Sequence, residues 1–240
     1  FAAYMARART LHERYSAPTA SQMSAAMAGL DVAVEPRTGT AVLRHAEFDE
    51  GAVLVYVHGG SFIAARSPRL TALIARIAKA ARMKTVMVDY RLAPEHACPA
   101  AVDDVVAAVR GLIERGQTPG RIGVVAESAG AAIALAATLR LRDQGVRLGA
   151  LCFLSPWTDL ALTGRSTAVR CVTGESPINM ESMAICAHLY LQGMSALNPE
   201  ASPVYGDLTG LAPMLVQTSR TDALHDDAGH LAARAHEAGV

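Results

Sequence analysis

Apolar residues fall along this chain in two alternating patterns: short, almost continuous runs, and longer stretches in which they recur with helical spacing. Thr40–Phe48 and Ala52–His58 read as extended segments. A helix follows from Ser67, with Leu70, Leu73, Ile74 and Ile77 on one stripe at i, i+3, i+4 and i+7. Thr85–Tyr90 is the next strand and Ala101–Arg115 the next helix, closed by Gly116. Arg121–Ala126 leads into a helix of small residues, Ala129–Arg142, which Gly145 ends. Ala150–Leu154 and Pro213–Thr218 complete the strands, and Asp226–Ala238 is a last helix. A strand that is apolar throughout is buried on both faces, and strands separated by helices are joined by crossovers. The pattern predicts an α/β fold: a mostly parallel central sheet with helices on both faces, in one domain over residues 1–240. Two stretches break the alternation, residues 1–30 and residues 157–202, and both read as parts of a small helical cap.

Composition narrows the function classes. At 51% hydrophobic, the 240 residues suffice for one sizeable core. Twenty-two basic residues face twenty-two acidic ones with no block of either sign, which argues against a nucleic-acid or anionic-membrane surface. No apolar run approaches the roughly 20 residues of a membrane span. The arginine-bearing start lacks the apolar core of a signal peptide. Cys98, Cys152, Cys171 and Cys186 show no CxxC spacing and read as reduced thiols of a cytoplasmic protein. No cluster of His, Cys or Asp has ligand spacing, so neither a metal nor a cofactor is expected.

In parallel sheets, ligands bind outside the carboxyl ends of the strands, so the residues just after each strand carry the candidate chemistry. After Arg121–Ala126 come Glu127, Ser128, Ala129 and Gly130. A serine on a sharp strand-to-helix turn presents its hydroxyl at a helix N-terminus, among small neighbours because the backbone is crowded there. The same serine is also what a plain helix N-cap looks like. The strand Ala52–Val57 runs into His58, Gly59, Gly60, Ser61 and Phe62. Consecutive glycines there can turn backbone N–H groups toward an oxyanion, or form a simple turn or a phosphate loop. The lysine and the GxGxxG spacing of phosphate loops are missing. His58 reads as a residue that pins the loop by hydrogen bonding rather than as a base.

Taken together, several of these segments resemble the hormone-sensitive-lipase-like (bacterial family IV) carboxylesterases of the α/β-hydrolase fold. The carriers are HGGSF at His58–Phe62, DYRLAPEHACPAAVDD at Asp89–Asp104, ESAG at Glu127–Gly130, SPWTDL from Ser155 and SPVYGDLTGLAPMLVQ from Ser202. They stand in the family's order from about Gly51 onward. Ser61 replaces the loop's third glycine, and Ala126 replaces the first glycine of the serine turn.

The resemblance implies a serine esterase acting on short- to medium-chain acyl esters through an acyl-enzyme, with Ser128 as nucleophile. Backbone N–H groups of Gly60, Ser61 and Ala129 would hold the oxyanion, with Gly59 positioning the loop. Asp222, in the segment Asp222–Asp227, matches the family's triad acid. Asp226 and Asp227 would open the last helix, where acidic residues favour its dipole. The triad histidine is expected on a loop after one more strand, and Val240 precedes that strand. His225, His230 and His236 are its conceivable substitutes. Phe62 and Trp157 are either pocket walls or core. Arg91, Glu95 and Asp103 are expected to pair beneath the site. The expected partner is a small ester, with a homodimer compatible with the family. Other classes stay open: an amidase or peptidase on the same fold, or a catalytically inert small-molecule receptor.

Overall fold

The computed structural model describes residues 5–6, 9–10, 17–34, 40–173 and 180–240, without the side chains of residues 171–173. A short helix, α1 (Ala20–Met27), begins with a reciprocal cap in which the Thr19 and Gln22 side chains satisfy each other's backbone N–H groups. Two short strands follow, β1 (Asp31–Val34) and β2 (Ala41–Arg44). The alternating part of the chain is β3 (Asp49–Val57), α2 (Pro68–Ala81), β4 (Met83–Val88), α3 (Ala100–Glu114), β5 (Ile122–Glu127), α4 (Ala129–Asp143) and β6 (Ala150–Leu154). Helices α5 (Arg165–Thr173) and α6 (Met180–Leu191) precede β7 (Met214–Gln217) and α7 (His225–Glu237). No helix among the described residues is long and apolar enough to cross a membrane.

The strands form one sheet in the order β1-β2-β4-β3-β5-β6-β7, parallel from β4 to β7 and antiparallel at β1 and β2. From β3 the chain goes to β4 on one side and then crosses to β5 on the other. The connections therefore diverge between β3 and β5, opening a crevice at their carboxyl ends. Period-two alternation sends the side chains of these strands into two cores. Val53, Val55, Val57, Val124 and Ala126 face the α3 and α4 side with Val102, Val105 and Ile133. Leu54, Tyr56, Met87 and Val125 meet Ile74, Ala75 and Ala78 of α2.

The expectations need several adjustments. The run Thr40–Phe48 is strand only over Ala41–Arg44, because a turn follows and β3 starts earlier, at Asp49. The apolar stripe of α2 is rotated: Ile74, Ala75 and Ala78 are fully buried, whereas Leu73 is 36% exposed. Alanine at the contact lets the helix approach the sheet closely, so the larger Leu73 is left at the margin. Arg91, Glu95 and Asp103 do not pair with one another. Arg91 bridges Asp104 (2.8 Å), Glu95 bridges Arg9 (2.8 Å) and Asp103 bridges Arg140 (2.5 Å). Of the stretches read as a cap, residues 157–202 supply α5 and α6, with 174–179 outside the described residues, and much of 1–16 also lies outside them.

Helix α4 is buried along almost its whole length, from Ala129 to Leu139 without a break. It enters the core where β3 ends. A Cβ on Gly130 would stand 2.4 Å from both Val57 O and His58 O, backbone atoms that cannot swing away. Gly130→Ala should therefore force the helix off the strand and lower the unfolding free energy by about 2 kcal/mol or more. Urea unfolding measures this, and an unchanged midpoint would mean that helix and strand are not in such close contact.

Candidate active site

The carboxyl ends of β3 and β5 place two loops side by side. At the end of β5 the chain turns into α4 through Ser128, whose φ of 51° and ψ of −128° are unusual for a residue with a side chain. Such backbone costs on the order of 1–3 kcal/mol and persists only where the surroundings enforce it. Here they do. The Ser128 N–H donates to Leu154 O (3.1 Å), and Ser128 O accepts from the N–H groups of Ala131 and Trp157 (3.0 Å each). Ser128 occupies the N-cap position, but its hydroxyl makes no capping hydrogen bond, so capping is not its role. The strain lies at Ser128 and not at Ala126. Ala126 is ordinary strand paired with Val57 and Phe153, where an alanine is accommodated.

The loop after β3 is held through its carbonyls. His58 is buried and stacks on Tyr90 with ring centroids 4.3 Å apart, and Tyr90 Oη donates to His58 O at 2.7 Å. His58 Nδ1–H donates to Gly59 O at 2.6 Å. Gly60 O accepts from the N–H groups of Ile63 (3.0 Å) and Ala64 (2.9 Å). In a trans peptide, C=O and N–H point in opposite directions, so fixing Gly59 O and Gly60 O also fixes the N–H groups of Gly60 and Ser61. Neither N–H finds an acceptor among the described residues. Ser61 has φ 53°, a left-handed conformation in which glycine would be relaxed and serine costs about 1 kcal/mol.

Glu127, which the sequence reading passed over, lies directly below this loop. Its Oε1 accepts a short hydrogen bond from the Gly59 N–H and another from Tyr56 Oη at 3.4 Å. Burial pushes its carboxyl from the ordinary 4.5 up to about 7, opposed by those two hydrogen bonds. No signal in the linear sequence separates it from a solvated residue at a strand end.

Asp222 lies in the loop after β7, half-buried, with Oδ1 accepting from the Leu224 N–H at 3.0 Å. It shares the carboxyl edge of the sheet with Ser128, and β6 separates their strands. The neighbouring acids do more than open α7. Asp226 accepts from the Ser166 N–H (2.8 Å), while its own N–H donates to Ser166 Oγ (2.9 Å). Asp227 is buried and accepts from Thr158 N–H (2.9 Å), Thr158 Oγ1–H (2.5 Å) and Asp159 N–H (3.1 Å). Burial raises its pKa to about 6 in spite of them. Ser166 Oγ and Thr167 Oγ1 both donate to Ala223 O, so the start of α5 is tied to the Asp222 loop.

His225, His230 and His236 all lie on α7, and among the described residues no hydrogen bond joins any of them to Ser128. His230 packs edge-on against Tyr205. Phe62 and Trp157 are 1% and 2% exposed and belong to the core. Phe62 stacks on Tyr190 at 4.1 Å and meets Trp157 at 5.2 Å, so contact with a ligand would require this cluster to open. Cys98, Cys152 and Cys186 are free thiols, and the Cys171 side chain lies outside the described residues.

A family model described as the alpha/beta hydrolase fold matches residues 54–240. The chain is 41% identical over 193 residues to an acetyl-hydrolase of Streptomyces hygroscopicus, covering 80% of this chain and 64% of that protein. It is 32% identical over 190 residues to an esterase of Acinetobacter venetianus, covering 78% and 62%. The chain thus spans less than two thirds of the length of these relatives. A crystal structure of an esterase from the bacterial hormone-sensitive lipase family superposes with a TM-score of 0.84 at 33% identity. That match covers 98% of this chain and 84% of that one.

The raised carboxyl at Glu127 has a consequence for stability. Its folded pKa of about 7 exceeds the ordinary 4.5, so between these values the folded chain keeps a proton that the unfolded chain has released. Stability contributed by Glu127 is therefore present below pH 4.5 and is lost as pH rises toward 7. The Tm of the wild type minus that of Glu127→Gln should fall steadily from pH 5 to pH 8. A difference that stays constant over this range would show that the carboxyl titrates normally.

Proposed function

The chain belongs to the alpha/beta hydrolase fold family, among its hormone-sensitive-lipase-like esterases, and from that premise we propose that it hydrolyses carboxylic esters with Ser128 as nucleophile. The observation that carries this reading is the geometry of Ser128. Its hydroxyl is unused for capping, on a strained turn that packs against the loop bearing the Gly60 and Ser61 N–H groups.

In the first step Ser128 Oγ attacks the ester carbonyl carbon as a general base takes its proton. The carbonyl oxygen becomes an oxyanion and receives the N–H groups of Gly60, Ser61 and Ala129, the last at the positive end of α4. These donors are in place beforehand, and losing one such donor typically costs about 10²–10³ in kcat. Collapse of the tetrahedral adduct expels the alcohol, which takes the proton from the base. Water then attacks the acyl-enzyme by the reverse sequence, freeing the acid and Ser128. Asp222 is the residue we assign to orient the base, the role that the family pattern gives to a histidine partner. β5 and β7 lie two strand spacings apart, roughly 10 Å, a gap that an imidazole can bridge. Short acyl esters are the proposed substrates, supported by the likeness to an acetyl-hydrolase.

In the full-length protein, Ser128→Ala should lower p-nitrophenyl butyrate hydrolysis by at least about 10³-fold while the fold is kept. A fluorophosphonate should label Ser128 and leave Ser61 and Ser155 untouched. Retained turnover in the variant, or label mapped to either of the other serines, would remove Ser128 from the mechanism.

A further inference from the structure

Glu127 is a half-buried carboxylate without an ordinary reason to be there. Among the described residues no arginine or lysine pairs with it, and Arg66, whose charge acts on the neighbouring Tyr56, is bound to Asp89 and Thr71. Leaving a carboxylate unpaired in such a site is costly, and an apolar residue would avoid that cost unless the acceptor itself is needed. Its partners are specific. One is the Gly59 N–H, and the other is Tyr56 Oη. Gly59 is shaped to receive it, because a Cβ there would stand 2.5 Å from Glu127 Oε2 and 2.8 Å from Oε1. Gly59 is thus gripped at both ends, its N–H by Glu127 and its carbonyl by His58. The residue that immediately precedes Ser128 in sequence is the one that secures the loop opposite Ser128.

We propose that Glu127 is a positioning residue of the ester-hydrolysing site: its carboxylate anchors the Gly59 N–H and thereby sets the direction of the Gly60 and Ser61 N–H donors. The inference rests on the reading of Ser128 as nucleophile. It joins the two halves of the site through one side chain, so that any displacement of the serine turn carries the donor loop with it. A donor misplaced by an ångström costs up to about 10² in rate, whereas substrate binding in the ground state is little affected.

The test compares Glu127→Leu with Glu127→Gln in the full-length protein. The readouts are kcat and KM on p-nitrophenyl butyrate and the Ki of an aryl trifluoromethyl ketone, which forms an oxyanion on the serine. Glu127→Leu lacks the acceptor and should lose roughly 10- to 100-fold in kcat, with KM changed less than about threefold. Its Ki should rise in step with the fall in kcat/KM. Glu127→Gln keeps a carbonyl that can accept from Gly59 and should recover most of both. Wild-type kcat and Ki in Glu127→Leu, whatever its Tm, would overturn the proposal, and so would a Gln variant as impaired as the Leu variant. If Glu127→Leu does not fold, hydrogen exchange in the wild type decides. The Gly59 amide should be protected while those of Gly60 and Ser61 exchange freely, and a Gly59 amide exchanging as fast as theirs rejects the anchor. Turnover retained by Ser128→Ala would sink the nucleophile itself. An inert Ser128→Ala beside a fully active Glu127→Leu sinks only the positioning role.

Discussion

The close approach of α4 to the end of β3 is the constraint on which the site depends. Gly130 lies against two backbone carbonyls of the strand end, Val57 O and His58 O. Only a residue without a side chain lets the helix start there, and Ala129 and Ala131 beside it are completely buried. That contact forces the chain to leave β5 and enter the helix within one residue, which is why Ser128 takes a positive φ. The strain is local, whereas the burial that opposes it extends over the length of α4, so the fold holds the turn without difficulty. The same contact brings the glycine loop after β3 beside the serine.

How far the sequence foretold this can be judged residue by residue. The strands from β3 to β6 were legible because buried or half-buried residues on both faces make each apolar in nearly every position, and β7 because it stays apolar even where Leu215 is exposed. β1 was not, since Val32 and Val34 are exposed at the sheet edge and no buried face imposes a pattern. The position of Ser128 was legible because crowding restricts its neighbours to small residues. Glu127 was not, because nothing in a linear sequence tells a solvated glutamate from one enclosed by Tyr56 and Gly59. The ion pairs were misassigned for a related reason. Neighbours in one motif seemed natural partners, but Asp103 reaches Arg140 on another helix and Glu95 reaches Arg9. Exposed pairs of this kind contribute little and leave little trace in local pattern.

The acidic segment after β7 shows one stretch serving two purposes. Read as helix-opening residues, Asp226 and Asp227 would need no partners beyond the dipole of α7. Both instead bind the segment that leads into α5: Asp226 exchanges hydrogen bonds with Ser166, and Asp227 gathers three donors from Thr158 and Asp159. A buried carboxylate with three donors resists movement, because any shift leaves a charge unsatisfied. The loop carrying Asp222 is thereby clamped to residues 158–167, and two hydroxyls on Ala223 O add to the clamp. The segment read from sequence as part of a cap is thus also a support for the candidate acid.

Nucleophile turn and glycine loop share a mode of construction, whereas in the acid loop Asp222 Oδ1 accepts directly from the Leu224 N–H. In neither of the first two is the reactive group held directly. Ser128 Oγ makes no capping bond, yet the backbone N–H and C=O of Ser128 are both satisfied. The Gly60 and Ser61 N–H groups have no acceptor among the described residues, but the carbonyls on the opposite sides of their peptides are anchored. Because a planar peptide transmits orientation from its oxygen to its N–H, a donor can be aimed rigidly and still be left unspent. A donor aimed in this way needs no reorganisation when negative charge develops beside it, which is the condition for electrostatic stabilisation of a transition state. It also explains the tolerance at position 61. The side chain takes no part in aiming the N–H, so serine can replace glycine at the cost of a left-handed backbone alone.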